Sequence, residues 1–344
     1  MMSKAPMSEA LFVQTNEPDN AVIAFRRDAD GTLNRLGAYP TGGSGNAKPH
    51  LTSQGSVVLT GDGRHVLVTN AASNDVSVFA RRDDGLELVG TVRTGSAPKS
   101  ITEHDGLVYV LNTGKPSVSG FRLRDEGLEP IAGAEQSLSA SNADPAQVSF
   151  TPDGSHLLVT ERGTDSIVLF AVTTDGLLGE MGVFPSSGPT PYGFAITSDG
   201  SRLIVTEAFR AEKGAAAASS YAISGGQITP VTRSLGNGRS EICWAVATAD
   251  GRFVFTTNFA DGAISRYAID AQGELTLEDV TAGLTEDGRP GLRDEDLTRD
   301  GRFLYAIDAD AGRIHGWAVG RDGSLSPVGD WDGVPQTVAG LAAS

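Results

Sequence analysis

Two glutamates, Glu161 and Glu207, stand out because each ends a short apolar run at a position where four similar runs carry asparagine. A carboxylate beside a narrow apolar space is costly unless it has a partner. Desolvation would also move its pKa towards neutrality, as proton transfer near pH 7 requires. Glu161 and Glu207 are therefore predicted catalytic groups, together with Tyr192. Purely structural roles, including a channel plug for Tyr192, remain the alternative.

Other polar side chains occupy two recurring kinds of position. The ends of the apolar runs carry Asn16, Asn70, Asn112, Asn258 and Asp308 besides the two glutamates, and the regions ahead of other runs carry His50, Gln54, Lys99, Gln147, Trp244, Arg293, Asp294 and Asp296. The predicted substrate-binding residues are His50, Gln54, Lys99, Asn112, Gln147, Trp244, Asn258, Arg293, Asp294 and Asp308. Asparagine at a strand end also commonly caps a turn, and Trp244 beside Cys243 also suits packing.

The histidines limit the chemistry further. His65, His104 and His156 adjoin Asp-Gly turns and His315 falls in an outer strand, so only His50 is expected near the other residues. A three-histidine zinc site is not expected. No Gly-x-Ser-x-Gly elbow or phosphate-binding glycine loop is present, so we predict no cofactor. A calcium-like ion held by Glu161, Glu207, Asn258 and Asp308 stays open as an alternative.

The elements that must position these residues repeat seven times. A turn followed by leucine or isoleucine recurs every 42 to 54 residues, beginning at Gly31, Gly85, Gly127, Gly176, Gly226, Gly273 and Gly323. Asp-Gly between alternating apolar runs is a strong hairpin signal. A second set of Asp-Gly turns, at Asp62, Asp105, Asp153, Asp199, Asp250 and Asp300, interleaves with the first. Two hairpins per repeat predict an all-β, seven-bladed β-propeller with four antiparallel strands per blade.

The second set has only six members, which indicates a split blade. The chain starts with a second-strand run (residues 11–16) and ends with what reads as a first strand (residues 337–342). The N- and C-terminal strands should therefore complete one sheet and remove its free edges. The whole chain, residues 1–344, is predicted to be one propeller domain, with the repeats spanning about 11–342.

Composition restricts the cellular context and the partners. The chain has 344 residues, a net charge of −16 and one cysteine. An acidic balance without a basic face argues against nucleic acid. No apolar run is long enough to span a membrane and the start lacks signal-peptide features, so a soluble, cytoplasmic protein is expected. A small-molecule substrate is the expected partner, and the oligomeric state is left open.

Two insertions interrupt the repeat, at residues 209–218 and 281–296, and both are expected on the face that carries the candidate residues. Long loops in compact domains are often functional. Each insertion could cover a pocket as a lid.

The pattern Thr-Pro-Asp-Gly, followed by a β-rich run that ends in Asn or Glu, resembles the lactonase-type seven-bladed propellers. This family includes 6-phosphogluconolactonases and fungal carboxymuconate-lactonizing enzymes. Residues 144–154 and 188–194 carry the resemblance best, and it extends over about 11–341. It implies a catalytic role for Glu207, which falls on the family's glutamate. The places of the family's histidine and arginine, residues 144–147 and 189–192 with Gln147 and Tyr192, contain no basic residue here, so 6-phosphogluconolactone is not the expected substrate.

These observations favour a lactonase- or cyclase-like enzyme, either a hydrolase or an isomerase. It would use acid/base chemistry on a small organic substrate at the channel mouth, where Arg293 or Lys99 could stabilise negative charge. A non-catalytic ligand-binding or scaffold propeller is the alternative, because no complete catalytic constellation is visible.

Overall fold

The computed structural model describes residues 9–49, 51–285 and 289–344. Within these ranges, 28 β-strands form seven antiparallel sheets of four strands each. The innermost strand of every sheet contacts the innermost strand of the next, so the seven sheets close into a ring around a central channel. The seven-bladed β-propeller predicted from the repeats is confirmed.

The blades follow the chain in order. Blade 1 contains β1 (Ala10–Gln14), β2 (Ala21–Arg27), β3 (Leu33–Pro40) and, innermost, β28 (Ala339–Ala343). Blade 2 contains β4 (Val57–Leu59), β5 (His65–Asn70), β6 (Asp75–Arg82) and β7 (Gly85–Arg93). Blade 3 contains β8 (Pro98–His104), β9 (Leu107–Asn112), β10 (Ser117–Arg124) and β11 (Gly127–Ser137). Blade 4 contains β12 (Pro145–Phe150), β13 (His156–Glu161), β14 (Ser166–Val172) and β15 (Leu178–Pro185).

The remaining three blades have the same arrangement of four strands. Blade 5 contains β16 (Pro191–Ile196), β17 (Arg202–Glu207), β18 (Ala217–Ser224) and β19 (Gln227–Gly236). Blade 6 contains β20 (Ile242–Ala247), β21 (Phe253–Asn258), β22 (Ala263–Ile269) and β23 (Leu275–Leu284). Blade 7 contains β24 (Leu292–Leu297), β25 (Phe303–Asp308), β26 (Arg313–Val319) and β27 (Leu325–Asp332).

The split blade is also as predicted. Strand β28 pairs antiparallel with β1, with Phe12 opposite Ala342 and Val13 opposite Leu341. The first and last strands of the chain thus share one sheet, and this pairing closes the ring. Because closure leaves no unpaired strand between the first and last blades, the channel wall is continuous.

The turns between first and second strands share a side-chain device. In five of them a threonine hydroxyl donates to an aspartate carboxylate two residues later, as from Thr151 to Asp153 at 2.6 Å. The same carboxylate accepts a backbone N–H two residues further on, for example from Ser155. These bonds hold the pKa of Asp153 at about 2. The turns lie on what we call the lower face, and the opposite face, where second strands end and inner strands begin, is the upper face.

The hydrophobic core is divided into seven layers, one between each pair of neighbouring blades. Between blades 2 and 3, for example, Leu67 and Val78 pack against Ile101 and Phe121. Second strands such as β5 are buried on both sides because a blade lies on each side of them. Packing in every layer fixes the position of each blade around the channel axis. It therefore also determines which side chains reach the channel.

Of the two predicted insertions, the one at 281–296 differs from expectation. Residues 281–284 continue strand β23, and residues 292–296 belong to the innermost strand β24, so the connecting loop covers only residues 285–291. The prediction of a long loop at 281–296 was therefore wrong, because main-chain pairing, such as Glu295 with Ala306, overrides the charged sequence. Glu286 and Asp287 lie outside the described residues. The other insertion forms a 3-10 turn (Phe209–Ala211) that leads into β18.

In the described part of the chain no helix is both long and apolar enough to cross a membrane.

Candidate active site at the upper mouth of the channel

The side chains that end the second strands lie between blades. Asn70, Asn112, Glu161, Glu207 and Asn258 are each fully buried. Each accepts a hydrogen bond from the segment that arrives from the outer strand of the preceding blade, the donors being Thr41, Thr94, Ser139, Gly188 and Asn237 respectively. The repeated polar position therefore anchors the connection between successive blades. This recurrent bond explains why the position is polar in these five blades.

Glu207 accepts four hydrogen bonds. It accepts from the hydroxyls of Ser219 at 2.6 Å, Ser234 at 2.7 Å and Ser186 at 3.4 Å, and from the amide of Gly188 at 2.8 Å. Glu161 similarly accepts from the Ser139 amide and hydroxyl and from Thr164. Both carboxylates thus hold blade connections, and their predicted catalytic roles remain to be tested.

We expect Glu207→Gln to lower the free energy of unfolding by about 1–3 kcal/mol, because an amide group would point a donor at the Gly188 N–H or at serine hydroxyls. Urea denaturation of the purified variant measures this. Glu180→Gln, an exposed change on the outer strand of blade 4, is the control and should leave stability unchanged. A variant of wild-type stability that had lost turnover would instead establish a catalytic Glu207.

The remaining two strand-end residues differ from this pattern. Asn16 lies in the loop after β1 with φ 54 and bonds to Asn46 and the Lys48 carbonyl. Asp308 accepts from the Ala311 amide and lies 3.7 Å from His315. The structure does not bring Glu161, Glu207 and Asp308 together in one cavity. Over the described residues, no group of three His, Cys, Asp or Glu side chains is arranged to hold a metal ion.

A segment of blade 2, residues 51–55, crosses the channel and plugs it. Its Gln54 amide donates to Ala245 O at 2.8 Å, and the Ala245 N–H donates back at 3.2 Å, which links blade 2 to blade 6. The Trp244 indole donates to Ser53 O at 2.9 Å. The Gln54 N–H reaches Ala146 of blade 4. Blades 2, 4 and 6 are therefore joined through this plug, and β4 is short because its upstream residues leave the wall.

Aromatic packing completes the plug. Tyr192 and Trp244 are buried, with ring centroids 5.6 Å apart, and they form a small cluster with Ala146 and Cys243. Gly193 is required beside them, since an added Cβ there would lie 2.3 Å from Gln54 Oε1. Tyr192 thus forms part of the floor of the upper mouth. Burial raises the pKa of its phenol well above 10.

Three cations from three blades surround this floor. The Arg162 guanidinium stacks 5.0 Å above the Tyr192 ring and pairs with Asp144 at 2.7 Å. Arg293 stacks over Phe259 and pairs with Asp310 at 3.5 Å. Lys99 Nζ donates to the Thr52 hydroxyl at 3.1 Å, and among the described residues it forms no ion pair. Burial and the nearby Arg162 lower the pKa of Lys99.

The residue just before each of five inner strands has a left-handed backbone. These residues are Ala97, Asp144, Thr190, Glu241 and Gly291. Each carbonyl accepts the N–H of the residue that follows the second strand, such as Arg162 or Phe259. Glu241 is thereby placed at the upper mouth, within electrostatic range of the Cys243 thiol. Burial and Asp261 raise its pKa, which makes the carboxylate a stronger base.

Sequence reasoning therefore identified part of this site. Tyr192, Trp244, Gln54, Lys99 and Arg293 lie at or around the plug, and their catalytic and substrate-binding roles stay predictions. Gln147 instead pairs with the Phe194 backbone, at 2.6 and 3.1 Å, and supports the wall. His50 lies outside the described residues.

Arg162 and Glu241 were missed. Their signals were available: Arg162 directly follows Glu161, and Glu241 precedes an inner strand as Asp144 does.

The architecture defines a seven-bladed β-propeller with a polar upper mouth above a closed channel. The family of seven-bladed β-propeller lactonases matches residues 6–128, 107–208 and 206–337, and the chain belongs to this family. No curated protein matches the chain.

Solved structures confirm the fold. A protein of Bacteroides fragilis, provisionally named a 6-phosphogluconolactonase, is 19% identical with a TM-score of 0.76, over 100% of both chains. The periplasmic gluconolactonase of Pseudomonas aeruginosa is 19% identical with a TM-score of 0.76, over 97% of this chain and 98% of that one. A functionally unknown protein of Desulfotomaculum acetoxidans is 15% identical with a TM-score of 0.77, over 97% and 98%.

Proposed function

We propose that this protein hydrolyses a small, uncharged polyhydroxy lactone at the upper mouth. Family membership supports lactone chemistry, and one structurally similar protein is named a gluconolactonase. The observation that carries the proposal is Lys99, a half-buried ammonium beside the aromatic floor that forms no ion pair among the described residues. A cation placed in this way can stabilise a developing oxyanion.

The charges around Lys99 favour an uncharged substrate. Arg162 is paired with Asp144, and Arg293 is only 3% exposed, with its Nε and Nη1 atoms buried, so neither guanidinium is presented to a phosphate for bidentate binding. Glu241 adds a further carboxylate to the mouth. A phosphorylated lactone would therefore have to displace the Arg162–Asp144 ion pair or uncover the buried Arg293.

The proposed reaction is addition of water to the lactone carbonyl. Glu241 takes a proton from the water as its oxygen bonds to the carbonyl carbon, and Lys99 stabilises the negative carbonyl oxygen. The ring C–O bond then breaks, and the proton held by Glu241 passes to the departing ring oxygen. The product is an open-chain hydroxy acid. Glu207, which the family resemblance suggests as catalytic, would act here by fixing the connection into blade 5.

The substrate proposal is tested by comparing glucono-δ-lactone with 6-phosphoglucono-δ-lactone, with spontaneous hydrolysis subtracted. We expect a higher kcat/KM for the unphosphorylated lactone. A preference for the phosphorylated lactone would contradict the proposal, and so would the absence of turnover on either substrate.

Lys99→Met should lower kcat/KM for the preferred lactone about 100-fold, mainly through kcat, because the oxyanion loses its cation. Steady-state kinetics measure this loss. Lys115→Met, an exposed lysine of the same blade, is the matched control and should retain wild-type kinetics. Equal activity of the two variants would remove Lys99 from the mechanism.

A second candidate is a non-catalytic ligand-binding propeller, favoured by the engagement of Glu161 and Glu207 in blade connections. Lactone binding without turnover would support it. The cytoplasmic location expected from the sequence stays a proposal, since one structurally similar protein is named periplasmic.

A further inference from the structure

The segment that carries Glu241 has to be held in place by its surroundings. Glu241 directly precedes β20 and has a left-handed backbone, with φ 54. A left-handed conformation is unfavourable for a residue with a Cβ and persists only where neighbouring contacts impose it. One such contact is the bond from the Phe259 N–H to the Glu241 carbonyl, at 2.9 Å. This bond fixes the C-terminal side of the segment, and the residues before Glu241 need a separate anchor.

Asp261 supplies that anchor. It lies in the turn between β21 and β22, where its own N–H donates to the Asn258 carbonyl at 3.2 Å. Its Oδ2 accepts the backbone N–H of Ser240, the residue before Glu241, at 2.6 Å. A hydrogen bond to an ionised carboxylate is among the stronger ones in proteins. Asp261 therefore ties the left-handed turn that precedes Glu241 to the end of the second strand of the same blade.

The insertion at residues 209–218 supports the same segment from its other side. The Gly214 N–H donates to the Ser240 hydroxyl oxygen at 3.0 Å, and the Ala216 N–H donates to the Arg239 carbonyl, also at 3.0 Å. Ser240 is buried between these contacts. In the structure the insertion thus braces the backbone that leads to Glu241.

Asp261 also acts on the Glu241 carboxylate through its charge. Burial and Asp261 together raise the pKa of Glu241. On β20 the nearest titratable group is the Cys243 thiol, which burial keeps protonated by raising its pKa. The other charged side chains on the neighbouring elements are Arg239, Glu212, Lys213 and Arg293. Of all these charged groups, it is Asp261 that shifts the pKa of Glu241.

Blade 5 offers a comparison in which the anchor has no acid to act on. Asp165 Oδ1 accepts the N–H of Thr190 at 2.8 Å, and Thr190 is the left-handed residue just before β16, with φ 61. Asp165 also pairs with Arg210. An aspartate that holds the entry to an inner strand is therefore not peculiar to blade 6, but in blade 6 the held segment carries a carboxylate.

We propose that Asp261 is the positioning residue of Glu241: it holds the backbone that places Glu241 at the upper mouth and faces the Glu241 carboxylate with a second negative charge. This inference rests on the proposed lactone hydrolysis and adds a residue that does not touch the substrate. Glu241 works as a base, so kcat/KM falls on the acidic side as Glu241 takes up a proton. The charge of Asp261 sets the pH at which that fall begins.

Two variants of Asp261 separate its charge from its hydrogen bond. Asp261→Asn keeps an acceptor oxygen for the Ser240 N–H and loses the charge. We expect the acidic limb of kcat/KM for glucono-δ-lactone to move to lower pH, with kcat on the plateau retained within about threefold. Asp261→Ala loses the acceptor as well. It should shift the limb in the same direction and also lower kcat about tenfold or more with little change in KM, because Glu241 is no longer held in line with the attacking water.

Asp165→Ala is the matched control. It removes the equivalent bond to Thr190 and should leave the acidic limb in place, whatever it does to stability. The inference is overturned if Asp261→Asn leaves the limb where it is in the wild type, or if Asp165→Ala moves it equally. If either alanine variant does not fold by circular dichroism, the asparagine variant at the same position is used, with the same expected effect on the limb.

A titration that needs no turnover distinguishes this inference from the proposed function. Carboxyl ¹³C NMR of the full chain follows Glu241, whose resonance is identified by its loss in Glu241→Gln. We expect the pKa of Glu241 to fall in Asp261→Asn and to stay unchanged in the Asp165 variant. An unchanged Glu241 titration in Asp261→Asn overturns the inference even if lactones are hydrolysed. A shifted titration in a protein without lactone turnover supports the coupling of Asp261 to Glu241 and contradicts the proposed function instead.

Discussion

Trp244→Ala should lower the free energy of unfolding by about 3–5 kcal/mol, the range for removing a large, fully buried aromatic side chain. Trp244 is 0% exposed, packs against Tyr192 with the two rings tilted by 59°, and donates its indole N–H to Ser53 O. Its removal leaves a cavity and an unpaired carbonyl in the middle of the plug. Because the plug joins blades 2, 4 and 6, we also expect the upper mouth to lose its floor, and lactone turnover with it.

Urea denaturation followed by circular dichroism measures the loss. The control is Trp331→Ala, because Trp331 is half-buried on the outer strand of blade 7, away from the channel. It should cost clearly less than Trp244→Ala. A loss at Trp244 below about 1 kcal/mol, or equal to that at Trp331, would contradict a central role for the plug.

The stability of the protein should fall as the pH rises from about 4 to 7, because burial raises the pKa of both Asp294 and Asp296 from 3.8 to about 7. Over that interval the folded state binds more protons than the unfolded state, so each rise in pH favours unfolding. Each pKa difference corresponds to a stability change on the order of 4 kcal/mol at most, and coupling among Asp294, Glu295 and Asp296 makes the sum smaller. Above pH 7 this contribution is constant.

The double variant Asp294→Asn, Asp296→Asn should flatten the decline between pH 4 and 7 by a few kcal/mol, measured as the free energy of unfolding at successive pH values. The slope of stability against pH is compared, and not the absolute stability, because asparagine has one acceptor oxygen fewer than aspartate. An unchanged slope would show that these two groups are not responsible for the decline.

Asp153→Asn is a control, because the pH dependence of stability that Asp153 contributes has the opposite sign. The pKa of Asp153 is lowered to about 2, so its contribution is present above pH 4 and lost as the pH falls towards 2. This variant should lose part of the stability rise between pH 2 and 4 and keep the wild-type decline above pH 4.

The turns and the strand order were predictable because their causes are local. Asp-Gly turns and period-two apolar runs predicted the two hairpins of each blade, and the lack of a seventh turn in the second set predicted the pairing of β28 with β1. The direction of the strand-end side chains was not predictable in this way. Glu161 and Glu207 are on the expected face, but their carboxylates lie between blades, where they bond to the connection from the preceding blade.

The charged strand β24 shows a second limit of local reasoning. Its residues were interpreted as a loop because aspartate and glutamate are depleted in strands. In the closed ring they form the innermost strand of blade 7. Pairing with β25 satisfies the backbone, and the acids are placed in the channel as a consequence. Only the closed ring reveals that these charges are buried.

Blade number, the order of the strands and the closing of the sheet by the chain ends were encoded in short segments, because turn chemistry and apolar alternation act between residues close in sequence. The composition of the upper mouth depended on long-range contacts. Lys99, Arg162, Glu241 and Arg293 come from different blades, and the plug bonds Gln54 to a residue 191 positions away. Such contacts arise only when the ring closes, since no segment of the chain carries them alone.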